Sequence, residues 1–169
     1  VFSFDWTQLT DWIYLSHSGQ MKGQFGYGIT LFAEDEFYKS ILFEDSYGLE
    51  ISFEKSFSKS ISFNIKPKFG TEIIRIDAPY QARNTGLGLG IELKPSDEFK
   101  LNFRMDQSKS IRFENDEVVY SDMIARARFE YQATTFLNFR IVAQYHRYYD
   151  TFDIQPLISY QTGPLSLIH

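Results

Sequence analysis

"ISFEKSFSKSISFNIKPKF", residues 51–69, alternates almost without a fault. Ile51, Phe53, Ile61, Phe63, Ile65 and Phe69 are apolar, while Ser52, Glu54, Ser62, Asn64, Lys66 and Lys68 are polar. Period two is the mark of a strand, because successive side chains point to opposite faces of a sheet. "KSFSK" at 55–59 reads as a tight turn, so the stretch is two strands, each with one apolar and one polar face. What the apolar face touches decides the fold.

The same alternation runs outward in both directions, with little helical periodicity. Eight strands are expected at about 23–33, 47–54, 60–75, 85–94, 99–108, 119–132, 136–147 and 152–161. A further strand is expected to begin at Leu165, and another within residues 1–15, whose phase breaks near Leu9. Short connections around 55–59, 94–99, 132–136 and 161–165 alternate with longer, charged or turn-rich ones at 34–46, 77–84, 107–117 and 146–151. That pattern predicts an antiparallel meander with tight turns at one end and large loops at the other. No sequence repeat and no linker divides it, so residues 1–169 read as one domain or a fragment of one. The sequence opens at Val1 without a signal-peptide core and closes on "PLSLIH" as if in mid-strand, so a longer parent chain is expected.

One phase of each strand collects the apolar residues. It carries Phe25 to Ala33, Tyr47 to Phe53, Ile61 to Phe69, Leu87 to Leu93, Phe99 to Met105, Met123 to Tyr131, Leu137 to Tyr145 and Phe152 to Tyr160, taking every second residue; none is charged. The other phase carries Glu50, Glu54, Lys66, Lys68, Glu92, Lys100, Arg104, Asp106, Arg126, Arg128, Glu130, Arg140 and Asp153, with Gly, Ser, Asn, Gln and Thr between them.

Composition narrows the class. The formal net charge is −5 and the pI about 5.2, which argues against a nucleic-acid partner, since that would need a basic stripe. There is no cysteine, so neither disulfides nor thiolate metal sites are possible. Aromatic residues reach 18%, yet no stretch approaches the roughly 18 uninterrupted apolar residues of a membrane helix.

Two architectures use such strands. In a soluble sandwich two apolar faces meet and the charged faces look at water. In an outer-membrane barrel the apolar faces meet lipid and the charged faces line a wet interior. Four features favour the barrel: expected strands longer than the usual five or six residues, short turns alternating with long loops, a mixture of Arg, Glu and Gly on the polar phase, and aromatics at strand ends. Those aromatics include Tyr47, Phe53, Phe69, Phe99, Tyr131, Phe136, Tyr145, Tyr148 and Tyr149. The expected fold is therefore all-β, an antiparallel up-and-down transmembrane β-barrel or part of one, in a bacterial outer membrane. Its partners would be outer-membrane lipid and lipopolysaccharide, with other envelope proteins as further candidates.

Residues 125–160, "ARARFEYQATTFLNFRIVAQYHRYYDTFDIQPLISY", carry a more specific pattern. An Arg-x-Arg strand (Arg126, Arg128) leads to a Tyr-Gln-x-Thr turn (Tyr131, Gln132, Thr134). A strand ending Gln144-Tyr145 follows, then Pro156, Leu157, Ser159 and Tyr160. This resembles the C-terminal barrel region of bacterial outer-membrane proteins that pair an N-terminal domain like a family-nine carbohydrate-binding module with a C-terminal domain of unknown function. The resemblance implies a barrel, further strands on both sides and an N-terminal soluble domain. It carries over no catalytic motif.

Chemistry-bearing motifs are sparse. His17, His146 and His169 lack a second ligand at metal spacing. "TGLGLGIEL" at 85–93 lacks the helix and lysine of a phosphate loop; Gly86, Gly88 and Gly90 read as room for bulky neighbours or as strand curvature. Ser56, Ser58 and Ser60 have no nucleophile elbow. Asp35/Glu36 and Asp116/Glu117 read as solvated loop charge rather than a calcium site. No enzyme activity and no cofactor are expected. Glu50, Lys66, Glu92, Arg104, Arg126, Arg128, Glu130 and Arg140 are the expected lining of a lumen. Arg104, Arg126, Arg128 and Arg140 within it admit two readings: an anion-attracting interior, or a plug in which Arg126, Arg128 and Arg140 reach Glu130 or Glu92.

Overall fold

The computed structural model describes residues 10–163 and 166–168, with side chains described for 11–161. Ten strands run in chain order: β1 Thr10–Met21, β2 Phe25–Tyr38, β3 Ile41–Ser58, β4 Ile61–Ile74, β5 Tyr80–Leu93, β6 Phe99–Arg112, β7 Val118–Gln132, β8 Leu137–His146, β9 Thr151–Gly163 and β10 Ser166–Ile168. Each pairs antiparallel with the next, giving one sheet ordered β1 to β10. Among the described residues there is no helix, no second sheet and no pairing between β1 and β10, so the sheet is open. The two-sheet sandwich is therefore not the architecture. Residues 1–9 and Leu165, where parts of two terminal strands were expected, lie outside the described residues; β1 is described only from Thr10, and extends well beyond residue 15.

The expected large loops are not loops. Most of residues 34–46 continues as strand: β2 and β3 are joined by Lys39 and Ser40 alone. Both have positive φ, 50° and 64°, as a two-residue type I′ hairpin requires. The other connections at that end span 75–79, 113–117 and 147–150, none longer than 94–98 at the opposite end, where the remaining connections are 22–24, 59–60 and 133–136. Charge misled the sequence reading. In "EDEFYKSILFEDS" the ladder persists although the alternation does not: Phe37 pairs with Leu42, Tyr38 with Ile41 and Glu36 with Phe43. A backbone ladder tolerates charges on both faces wherever both faces are wet. Asp45 (φ 58°) lies where the β2–β3 register shifts, marking a bulge, and its N–H donates to Asp35 Oδ1 at 2.9 Å.

Register brings the apolar phases of neighbouring strands together. Tyr27, Phe53 and Ile65 are successive cross-strand partners, as are Phe63, Ile91, Phe103, Ala127, Ala143 and Ile154. A one-residue slip at any of these pairings would throw a strand's apolar set onto the polar face. The shared band is finite. Beyond it at one side the same face carries Thr85, Lys109 and Ser121, one cross-strand row, while Lys55 on β3 stands opposite Phe25 and Phe63 as a charged residue at the band's β3 end. In β8 the band runs from Leu137 to Tyr145, about 27 Å along the strand at roughly 3.4 Å per residue. Aromatics edge it at the 94–98 and 133–136 turns. Phe99 meets Phe129 edge-on with centroids 4.6 Å apart, and Tyr131 stacks on Phe139 at 6.5 Å. Phe25 and Phe53 meet diagonally across β2 and β3 at 6.0 Å, near the 22–24 turn. Tyr47 and Phe53 thus sit at band edges but in mid-strand, because β3 projects well past the band.

The two faces differ in curvature. In a single layer a side chain is buried only where neighbours on its own face close over it. Ser46, Ala82, Ser110, Asp122 and Val142 are buried, and all lie on the polar face; Ile73, near the end of β4, is a buried residue on the other face. The apolar band stays uncovered: Phe69 is 50% exposed, Phe152 63% and Ile154 61%. The polar face is therefore the concave one. Glycines let it curl. A Cβ on Gly70 would lie 2.3 Å from the Tyr47 carbonyl oxygen, and one on Gly48 would enter the Phe32 ring. Gly90 likewise makes room for the Asn64 side chain, as expected.

Gly70→Ala should destabilise the chain by about 1–3 kcal/mol, because its contact is with rigid backbone. Gly88→Ala, whose nearest neighbours stand at 3.4 Å, should stay within about 0.5 kcal/mol of the parent. Denaturant midpoints followed by tryptophan fluorescence check both.

Candidate functional site

Alternation and register place all eight expected lining residues on the concave polar face. Lys100, Glu130 and Arg140 form one cross-strand row. Glu92, Asn102 and Arg128 form the next, and Gly90, Arg104 and Arg126 the one after. Lys66, Gly88 and Asp106 follow, then Glu50, Lys68, Gly86, Ser108 and Asp122. The site is thus a ladder of polar rows across β3 to β8, with alternating glycines on β5 leaving its floor open.

Electrostatic pairing on this face is selective. Lys68 Nζ meets Glu50 Oε2 at 2.8 Å and Lys100 Nζ meets Glu92 Oε2 at 3.0 Å. Two further pairs lie along a single strand: Arg104 Nε donates to Asp106 Oδ2 at 2.8 Å, and Arg128 Nε to Glu130 Oε1 at 2.9 Å. Asn102 Nδ2 also donates to Glu92 at 3.1 Å. The expected convergence of three arginines on Glu130 or Glu92 is therefore only partly met. Arg128 reaches Glu130; Glu92 is taken by Lys100; Arg126 and Arg140 have no side-chain partner among the described residues. Arg126 stands directly opposite Arg104, a like-charge pair of a kind that destabilises a ladder.

A second polar cluster closes the far end of the face, and sequence reading missed it. Asp122 accepts from the N–H of Met123 at 2.7 Å, the N–H of Tyr148 at 3.0 Å and the Tyr120 hydroxyl at 3.2 Å. His146 Nε2 lies 3.3 Å from Asp122 Oδ2, the oxygen that also accepts from Tyr120. Asn84 Nδ2 donates to Ser108 and Ser110 at 3.2 Å each, and the Ser110 hydroxyl reaches across β5 to Glu72. From the 75–79 connection, Arg75 Nη2 donates to both oxygens of Glu36 on β2 at 2.9 Å, which holds the guanidinium above its ordinary pKa. Most of these partners lie 24 to 39 residues apart in sequence, so no local motif announces them. Trp12, Tyr14 and Phe32 were also unforeseen on the polar face, grouped by the β1–β2 register opposite Gly48. Among the described residues no group of three or more His, Asp or Glu could hold a metal ion.

Comparison with protein-family models, with curated proteins and with solved structures finds no match for this chain. The geometry of the polar face is accordingly what bears on function.

Both partners of Lys68–Glu50 are well exposed, so a double-mutant cycle with Lys68→Gln and Glu50→Gln should give a coupling below about 1 kcal/mol. Asp122→Asn should instead loosen the 147–150 connection. Hydrogen exchange at the Tyr148 amide should speed up while amides in the middle of β5 and β6 keep their protection.

Proposed function

We propose that this chain is part of an outer-membrane β-barrel whose charged concave face lines a passage for small polar solutes. The observation that carries the reading is the uncovered apolar band on the convex face of a single curved sheet. Hydrocarbon is the solvent that matches such a face. A strand tilt of 35–45° would reduce the 27 Å run in β8 to a height of about 20 Å, close to the band of known barrels. An Arg or Lys on that face near the midplane would cost roughly 2–4 kcal/mol, which accounts for the missing charges. The aromatic edge formed by Phe25, Phe53, Phe99 and Tyr131 fits the girdle that such barrels place at the headgroups. Among the described residues strands are the only elements that could cross, and in lipid every backbone N–H and C=O must be paired. The open edges at β1 and β10 therefore call for closure by further pairing in the membrane.

Glu50, Lys66, Glu92, Arg104, Arg126, Arg128, Glu130 and Arg140 would then face the interior. The same-strand pairs Arg104–Asp106 and Arg128–Glu130 lie flat along the wall instead of bridging strands, which suits an unobstructed passage. A second reading, a non-conducting anchor for a carbohydrate-binding or envelope-assembly partner, draws on the resemblance of residues 125–160 and on the Ser110–Glu72 bond across the concave face.

Ion conductance of the full-length protein in planar bilayers separates the two: an open passage gives steady single-channel steps, an anchor stays silent. Orientation is tested independently. Phe63→Arg and Ile141→Arg should abolish the heat-modifiable folded band on gels, whereas Arg128→Gln should retain it. Normal folding of both arginine variants would overturn the lipid-facing assignment.

A further inference from the structure

On β5 to β8 the carboxylates of the turn-proximal half of the polar face are all engaged, while Glu54 on β3 and Asp153 on β9, at the two ends of the Arg104–Arg126 row, form no ion pair among the described residues. Glu92 is held by Lys100 and Asn102, Asp106 by Arg104, and Glu130 by Arg128. Five cations, Lys100, Arg104, Arg126, Arg128 and Arg140, thus share three carboxylates on β5 to β8. Two guanidiniums are left over. Arg126 lies between Arg104 and Gln144 in its row, and Arg140 between Glu130 and Leu157 in its own. Arg140 is opposite a carboxylate that its neighbour Arg128 has already taken.

Structural need does not explain this arrangement. Arg104 and Arg126, as direct cross-strand partners, have Cβ atoms only about 5 Å apart, which opposes sheet formation. Replacing Arg126 by Gln or Ser would relieve that repulsion, and its own row already uses Gln at 144. The two free arginines lie two rows apart on adjacent strands, with Cα atoms about 14 Å apart by strand geometry. Each arginine side chain spans several ångströms, enough for the two forks to swing toward one small ligand between them, over the Arg128–Val142 row. A guanidinium offers paired N–H donors in the plane that an oxyanion accepts, and such charge-assisted bonds are the strong kind.

We propose that Arg126 and Arg140 form a binding site for small oxyanions, carboxylate or phosphate, on the concave face, with Arg104 supplying further positive field. The site rests on the lumen reading above only for its route of access; the binding itself is independent of conduction. Its ligand provides the negative charge that no carboxylate on β5 to β8 gives these two residues, with Asp153 two strands away from Arg126 as the competing partner within the wall.

The test uses the full-length protein folded in detergent, its fold checked by heat modifiability, and titrated calorimetrically with inorganic phosphate in one arm and malonate in the other. Saturable heat in either arm is expected, and the arm that binds identifies the source of the oxyanion. Arg126→Gln/Arg140→Gln should weaken that binding at least about tenfold, while Lys68→Gln, on the same face but already paired, should change it less than about twofold. Each single Gln variant serves if the double variant fails to fold, with a loss of about threefold or more expected. No saturable binding in either arm, or binding indifferent to these arginines, overturns the proposal. Arginine-dependent binding in a protein that proves silent in bilayers would retain the site and sink the channel reading.

Discussion

Cross-strand register is the constraint on which everything else in this chain depends. Among the described residues each of the ten strands pairs only with its sequence neighbours, and no second layer is there to correct a mispaired strand. Side chains alternate with period two, and a slip of one residue at any ladder would exchange the faces of that strand. The pairings of Phe63, Ile91, Phe103, Ala127, Ala143 and Ile154 keep one side apolar across six strands. Those of Glu92, Asn102 and Arg128, with their neighbours in adjacent rows, keep the other side polar. Function of any kind on this sheet is inherited from that segregation.

Curvature turns segregation into a site. Glycines at 48 and 70 let backbone and the Phe32 ring approach where a methyl group would collide. Gly86, Gly88 and Gly90 leave open floor between the charged side chains of β4 and β6. The polar groups consequently face inward, where they crowd, and the apolar ones outward, where they spread. A soluble sheet would put the crowding on the apolar side. The inversion, with Ile154 and Phe152 more than half exposed while Ser110 and Asp122 are buried, is the feature that gives the outer-membrane proposal its force. Within the concave face, the unequal sharing of carboxylates leaves Arg126 and Arg140 as the side chains best able to attract a solute.

Much of this was legible before any coordinates. Period-two alternation in "ISFEKSFSKSISFNIKPKF" located β3 and β4, and its extension located most of the other strands within a few residues. Face assignments for Glu50, Lys66, Glu92, Arg104, Arg126, Arg128, Glu130 and Arg140 followed from parity alone. Three things were not legible. The segments 34–46 and 107–117 read as loops, because charge on both phases imitates a loop even where the ladder continues. The Asp122–Tyr120–His146 cluster joins groups whose proximity is a product of pairing, with no spacing to betray it. Which arginine would win Glu130 depended on side-chain reach along and across β7, a matter of an ångström or two.

Alone, then, the sequence determined that this protein is antiparallel β, where nearly all its strands lie and which side chains share a face, because alternation is a local property of the covalent chain. Tertiary structure decided that the strands form one open curved sheet instead of two packed layers, that the polar side is the hollow one, and that Arg126 and Arg140 are left without carboxylates. Those outcomes depend on how rows from distant segments align and how closely glycine backbones approach, and such distances are set only once the strands have paired.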